Sequence, residues 1–195
     1  MSERILIVGL NWIGDAIMSM PALQACRKEN PKAEITLLVK PYLKPLLEMH
    51  PVPDHIIGLE KPASMIPALK RGTFDQALIL PNSFRSAYLP FMAGIPKRVG
   101  LKGMWRHKML TEIIPLSGGH QSKEYFPILA PESINVTREL PDLDIPESAC
   151  HSIESLLPFS NPYVVLMPGA ARGASKMWPL EHFETLANNL SLIHI

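Results

Sequence analysis

The segment Gly9-Leu-Asn-Trp-Ile-Gly14-Asp15 follows an apolar run and opens a polar one, placing a carboxylate where a strand gives way to a helix. Open α/β sheets hold their ligands at the carboxyl ends of strands. A carboxylate at a helix start is kept charged by the helix dipole and is ready to take a proton at neutral pH. Transfer of a sugar to a hydroxyl acceptor needs such a base. An Asp there also suits a helix N-cap, and the residues alone leave both roles open for Asp15. Dinucleotide binding is disfavoured, because the NAD fingerprint needs three close glycines and an acid ending strand two. Here Trp12 fills the turn, only Gly9 and Gly14 fit, and the second strand ends in Lys40.

Three further clusters have the residue types for recognition. Pro168-Gly-Ala-Ala-Arg-Gly-Ala-Ser-Lys-Met-Trp-Pro179 is a glycine-containing turn ahead of a helix, where backbone amides can hold a diphosphate and Arg172 or Lys176 can neutralise it. The plainer reading is an ordinary turn with solvated cations, and the Walker spacing G-x-x-x-x-G-K followed by Ser or Thr is absent. In Leu80-Pro-Asn-Ser-Phe-Arg-Ser86 a strand ends and Ser83 is placed to cap a helix, so that Asn82, Ser83 and Arg85 face the same cleft as Asp15. Lys97, Arg98, Lys102, Arg106, His107 and Lys108 surround Trp105, either as a solvated face or as a greeting for a phosphorylated acceptor at a membrane surface. The seven histidines form no metal-ligand spacing, and no G-x-S-x-G elbow occurs. No metal or cofactor is expected.

These clusters need elements to hold them. Arg4–Leu10 and Glu34–Lys40 read as buried strands of a parallel sheet, with a helix over Asp15–Lys28 between them and a short one over Tyr42–Met49. Weaker strands are expected at His55–Leu59, Ala77–Leu80 and Arg98–Leu101, with helical Ser64–Arg71 among them. That alternation defines a doubly wound, Rossmann-like α/β domain. Pro115–Pro162 is rich in Pro and Gly and reads as loops and a connection. Tyr163–Met167 restarts the pattern as a strand, followed by a helix from near Pro179. We expect one domain over residues 1–158 and the start of a second, truncated, over 159–195.

The chain has 195 residues, 47% hydrophobic and 19% charged, a balance suited to burying a core. A net charge of +1 excludes strong whole-molecule attraction to nucleic acid. Cys26 and Cys150 lack disulfide or zinc spacing and read as reduced cytosolic thiols. The opening apolar run is too short for an export signal, and no stretch approaches the ~18 apolar residues of a spanning helix. Any work at a membrane is expected from its surface.

Taken together, Asn-Trp-Ile-Gly-Asp-Ala-Ile-Met-Ser (11–19), Leu-Pro-Asn-Ser-Phe-Arg-Ser (80–86), Ala-Gly-Ile-Pro-Lys-Arg-Val-Gly (93–100) and Pro-Gly-Ala…Lys-x-Trp-Pro (168–179) resemble the lipopolysaccharide heptosyltransferases of glycosyltransferase family 9, their type II branch above all. The resemblance runs through nearly the whole chain and implies a two-domain GT-B fold. It implies an inverting transfer from ADP-heptose to the first heptose of the lipopolysaccharide core (heptosyl-Kdo2-lipid A), on the cytoplasmic face of the inner membrane. It makes Asp15 the base, Asn11, Trp12, Gly14, Asn82, Ser83, Arg85 and Arg98 acceptor-binding residues, and Gly169, Lys176 and Trp178 donor-binding residues. Ala171 and Met177 stand where the family often has an acidic residue and Arg. The family's later Asp-Ser-Gly-type donor motif lies beyond this sequence, so the chain alone is expected to be inactive. An ADP-heptose transferase with another acceptor, or a non-catalytic nucleotide-binding α/β module, remains the alternative.

Overall fold

The computed structural model describes residues 2–103, 105–116, 118–134, 140–157, 163–170 and 173–192. Two compact units emerge, Met1–Ile145 and Pro146–Ile195. In the first, β1 (Arg4–Val8) leads to α1 (Ile13–Glu29), β2 (Glu34–Val39) to a short α2 (Lys44–Leu47), β3 (His55–Gly58) to α3 (Pro62–Arg71), and β4 (Gln76–Ile79) to α4 (Phe84–Met92). Then come β5 (Lys97–Leu101), β6 (Glu112–Ile114) and α5 (Phe126–Leu129). The second unit holds α6 (Glu147–Leu156), a 3-10 turn at Ala174–Lys176 and α7 (Leu180–Leu192).

The six strands form one sheet in the order β3-β2-β1-β4-β5-β6, with every pairing parallel. Period-two alternation splits each central strand between two cores. Ile5 and Ile7 join α1, β2 and α5 residues on one face, while Leu6 and Val8 join Ala87 and Leu89 of α4 on the other. These four β1 side chains are all buried. Each such burial stabilises the fold by about 1.5–3 kcal/mol, which is why β1 reads as an unbroken apolar run.

The α/β expectation is met, with local differences. α1 starts two residues before Asp15. β6 is an added edge strand of three residues, paired Val99↔Glu112 to Leu101↔Ile114, too short to show a period. The stretch read as loops contains α5, whose Phe126, Ile128 and Leu129 pack into the α1-side core, and α6. Tyr163–Met167, expected as a strand, carries no strand pairing, and Val164, Val165 and Met167 are exposed. Its unit has no second strand among the described residues to pair with it, and a lone strand has nothing to satisfy its backbone groups.

Candidate functional site

Between β1 and β4 the chain changes direction across the sheet, and their carboxyl ends leave a crevice, the ligand position of doubly wound sheets. A cavity of about 280 Å³ occupies it, lined among others by Gly9, Asn11, Lys40, Glu60, Ser83 and Arg85. Gly9 is required by packing: a Cβ there would sit 2.6 Å from Val39 Cγ1. The Tyr42 hydroxyl donates to the Asn11 carbonyl and ties the turn to the segment after β2. Lys40 follows the last residue of β2 in the crevice wall, a cation where a dinucleotide site would carry an acid. A larger cavity of about 640 Å³ opens at the amino ends of β1–β3. Several of its charged groups are ion-paired, Arg4 with Glu34 at 3.0 Å and Asp54 with Arg27 at 2.6 Å, and it lies at the opposite end of the sheet from where such folds hold their ligands.

Asp15 is the third residue of α1, not its N-cap. Trp12 takes the cap position in extended conformation (φ −123, ψ 145) without a side-chain cap bond. In the first turn the Asp15 carboxylate still lies in the favourable field of the helix amino end. It is partly buried and does not line the 280 Å³ cavity. Its charge acts instead on Tyr125, a phenol only 1% exposed whose oxygen accepts from Gln121 Nε2 at 2.9 Å. Burial first, then Asp15, push the Tyr125 hydroxyl up to about 12, against the Gln121 hydrogen bond. Sequence reading missed Gln121 and Tyr125; the apolar run Tyr125–Ala130 was the available signal.

Ser83 caps α4 as expected, its Oγ accepting from Ser86 N at 3.3 Å. Ser83 and Arg85 line the crevice; Asn82 is exposed in the turn beside them, outside the cavity wall. Gly14 is exposed at the start of α1 with open space around it. The basic cluster comes apart. Arg98 sits at the amino end of β5, in register with Ala77, so the structure does not bring it to the crevice. Its guanidinium bonds the carbonyls of Met109 (2.6 Å), Pro96 (3.1 Å) and Ile95 and lies over the Phe91 ring. Arg106 is fully buried, whereas Lys97, Lys102, His107 and Lys108 are exposed.

In the second unit, Lys176 ends the 3-10 turn, its amide bonded to the Gly173 carbonyl at 3.2 Å. Gly173 has φ +74, which favours glycine. Trp178 packs against His182 and Phe183 with ring centroids 5.2 and 5.0 Å apart, fixing the entry to α7. Gly169, Lys176 and Met177 are exposed ahead of that helix. Ala171 and Arg172 lie outside the described residues. No group of three acidic, Cys or His side chains is placed to hold a metal among the described residues.

Sheet order and crevice define a doubly wound α/β protein with its crevice at the β1/β4 switch point, where sheets of this kind hold their ligands. The chain belongs to glycosyltransferase family 9 (heptosyltransferase), whose family model matches residues 63–192. It is 28% identical to lipopolysaccharide heptosyltransferase 2 of Escherichia coli (strain K12) and 30% identical to lipooligosaccharide heptosyltransferase 2 of Haemophilus ducreyi, in each case over 96% of this chain and 60% of the relative. The structure of the E. coli ADP-heptose lps heptosyltransferase II superposes with a TM-score of 0.82 at 27% identity, covering 96% of this chain and 61% of that one. The chain thus spans about 60% of the length of these curated relatives. Among the described residues, no helix is long and apolar enough to cross a membrane.

Proposed function

We propose that this chain carries the acceptor-binding domain (1–158) and the opening of the donor domain (159–195) of an inverting heptosyltransferase. The donor is ADP-heptose, and the acceptor is the first heptose of the lipopolysaccharide core, met at the cytoplasmic surface of the inner membrane. Asp15 takes the proton from the acceptor hydroxyl. The freed oxygen forms a bond to the anomeric carbon as the bond from that carbon to the diphosphate oxygen breaks, and ADP departs with the electron pair. Asn11, Trp12, Gly14, Asn82, Ser83 and Arg85 form the acceptor side. The Gly169 amide, Lys176 and Trp178 form the donor side, where Lys176 offsets charge on the departing diphosphate. Arg98 is scaffold in this reading, its Nε and Nη1 donating to carbonyls at the amino end of β5.

The observation that carries the proposal is the partly buried Asp15 in the first turn of α1, four residues after the crevice-lining Asn11, in a chain of this family. The test is kinetic, on the whole gene product containing this sequence. Asp15→Ala is expected to keep ADP-heptose binding and lose at least ~100-fold in kcat, the scale of a general base. Near-normal turnover removes Asp15 from the mechanism. Transfer to a hydroxyl other than that of the core heptose redirects the acceptor assignment, and ADP binding without any transfer sinks the enzyme reading.

A further inference from the structure

Arg106 belongs to a run of several basic residues, yet it is the largest fully buried side chain of the described structure. The backbone turns sharply to put it there. Trp105 adopts φ +58, a left-handed conformation that costs a non-glycine residue, and points outward at 77% exposure while the next side chain goes fully inward. Two glycines clear the path. A Cβ on Gly100 would stand 2.5 Å from Arg106 Nη2, and one on Gly103 would stand 2.8 Å from its Cδ and 2.5 Å from the Asn82 carbonyl.

At the end of this slot Arg106 Nη1 donates to the carbonyl of Pro81 and reaches that of Ser83 at 3.5 Å. The Pro81 carbonyl also accepts from Ser86 Oγ at 2.9 Å. These carbonyls belong to the turn that carries Asn82 and Ser83 and launches α4 with Arg85 in its first turn. Nε and Nη2 have no hydrogen-bond partner among the described residues. Burial lowers the group to about 10, which leaves it cationic at neutral pH. A buried cation without a carboxylate is a weak stabiliser, since apolar residues of similar volume commonly do as well. Its geometry is what an apolar side chain lacks: a charged donor, Nη1, held within reach of two carbonyls of one turn.

We infer that Arg106 is a positioning residue for the acceptor side of the crevice, clamping the Pro81–Ser83 turn from beneath so that Ser83 and Arg85 keep their place in its wall. The inference rests on the acceptor reading of that wall. It is tested on the whole gene product by steady-state kinetics together with hydrogen exchange at the Ser86 amide, which the Ser83 cap protects. Arg106→Met is expected to raise the acceptor KM and speed Ser86 exchange, each on the order of tenfold, the scale of a lost hydrogen bond to a charged group. The ADP-heptose KM, kcat and exchange from β1 stay near wild type. Arg106→Lys, which keeps the charge and one donor, falls between. Gly103→Ala, which presses on both Asn82 and Arg106, reproduces the acceptor defect and decides the matter if Arg106→Met does not fold. An unchanged acceptor KM, or donor and acceptor constants deteriorating together, overturns the clamp. If the wild-type protein transfers no heptose, the heptosyltransferase reading fails by itself; unchanged Ser86 exchange in Arg106→Lys and Gly103→Ala then sinks the clamp, and accelerated exchange upholds it.

Discussion

Asp15, in the first turn of α1, and Tyr125, buried just ahead of α5, are electrostatically joined: the carboxylate is the second contribution, after burial, that holds the phenol protonated up to about 12. Asp15→Asn removes that contribution and leaves the burial. Tyr125 is therefore expected to titrate lower in the variant, still above the ordinary value near 10. NMR of ring-labelled tyrosine, with Tyr125→Phe to assign the signal, measures it. A Tyr125 titration that ignores Asp15→Asn would separate the two groups.

The sign of the alkaline response follows from two buried groups. Burial, then Glu29, raise the Cys26 thiol from 9.0 to about 12, and Tyr125 is raised from 10.0 to about 12. Both stay protonated in the fold after their unfolded counterparts have ionised, so the folded state binds more protons in that window. Stability is complete below the unfolded pKa values and is lost as pH rises from about 9 through about 12. Each group costs the fold about 1.4 kcal/mol for every pH unit over which only its unfolded form is ionised. The urea midpoint is expected to fall across that range. Cys26→Ala should flatten the fall at its lower end, and an equal slope in that variant would acquit the thiol.

How much of this was legible in the sequence depends on the distance over which each residue is determined. Ile5–Val8 announce a strand buried on both faces because both cores press on β1 itself. Ser83 announces its cap because its partner, Ser86 N, is three residues away. Asp15 stands two positions inside the helix because Trp12, which has no side-chain oxygen, holds the cap, and a cap without a side-chain bond leaves no mark. Arg98 and Arg106 are indistinguishable as letters in a basic run. The register of β5 sends one to the amino end of the sheet, and the Gly100–Gly103 slot buries the other at the carboxyl end. Tyr125 meets Asp15 only through the packing of α5 on α1, which no local pattern encodes.

The Ser83 cap is a local and measurable part of the site. Ser83→Ala leaves the Ser86 amide without its side-chain acceptor at the start of α4. A loss of about 1 kcal/mol is expected, the usual worth of such a cap. Because Ser83 also lines the crevice, the acceptor KM should rise as well. Chemical denaturation reads the first effect and acceptor titration the second; a stability loss with an unmoved acceptor KM would confine Ser83 to capping.

Gly9 and Gly14 bracket the same turn and are expected to fail in opposite ways. A Cβ on Gly9 meets Val39 Cγ1 at 2.6 Å and the Leu38 carbonyl at 3.4 Å, inside a β1–β2 contact that also includes the Gly9 amide bonded to Leu38 O. Gly9→Ala should cost about 1–3 kcal/mol through overpacking. A Cβ on Gly14 meets nothing within 4 Å, and the position is already helical, so Gly14→Ala should be neutral or stabilising by up to about 1 kcal/mol. Added bulk at Gly14 projects into space that the acceptor reading needs open, so Gly14→Val should keep the fold and raise the acceptor KM in the whole gene product. Thermal unfolding separates the two glycines. A Gly14→Val protein with normal stability and an unchanged acceptor KM would take Gly14 out of the site, whereas a destabilised Gly14→Ala would show that the space around it is filled.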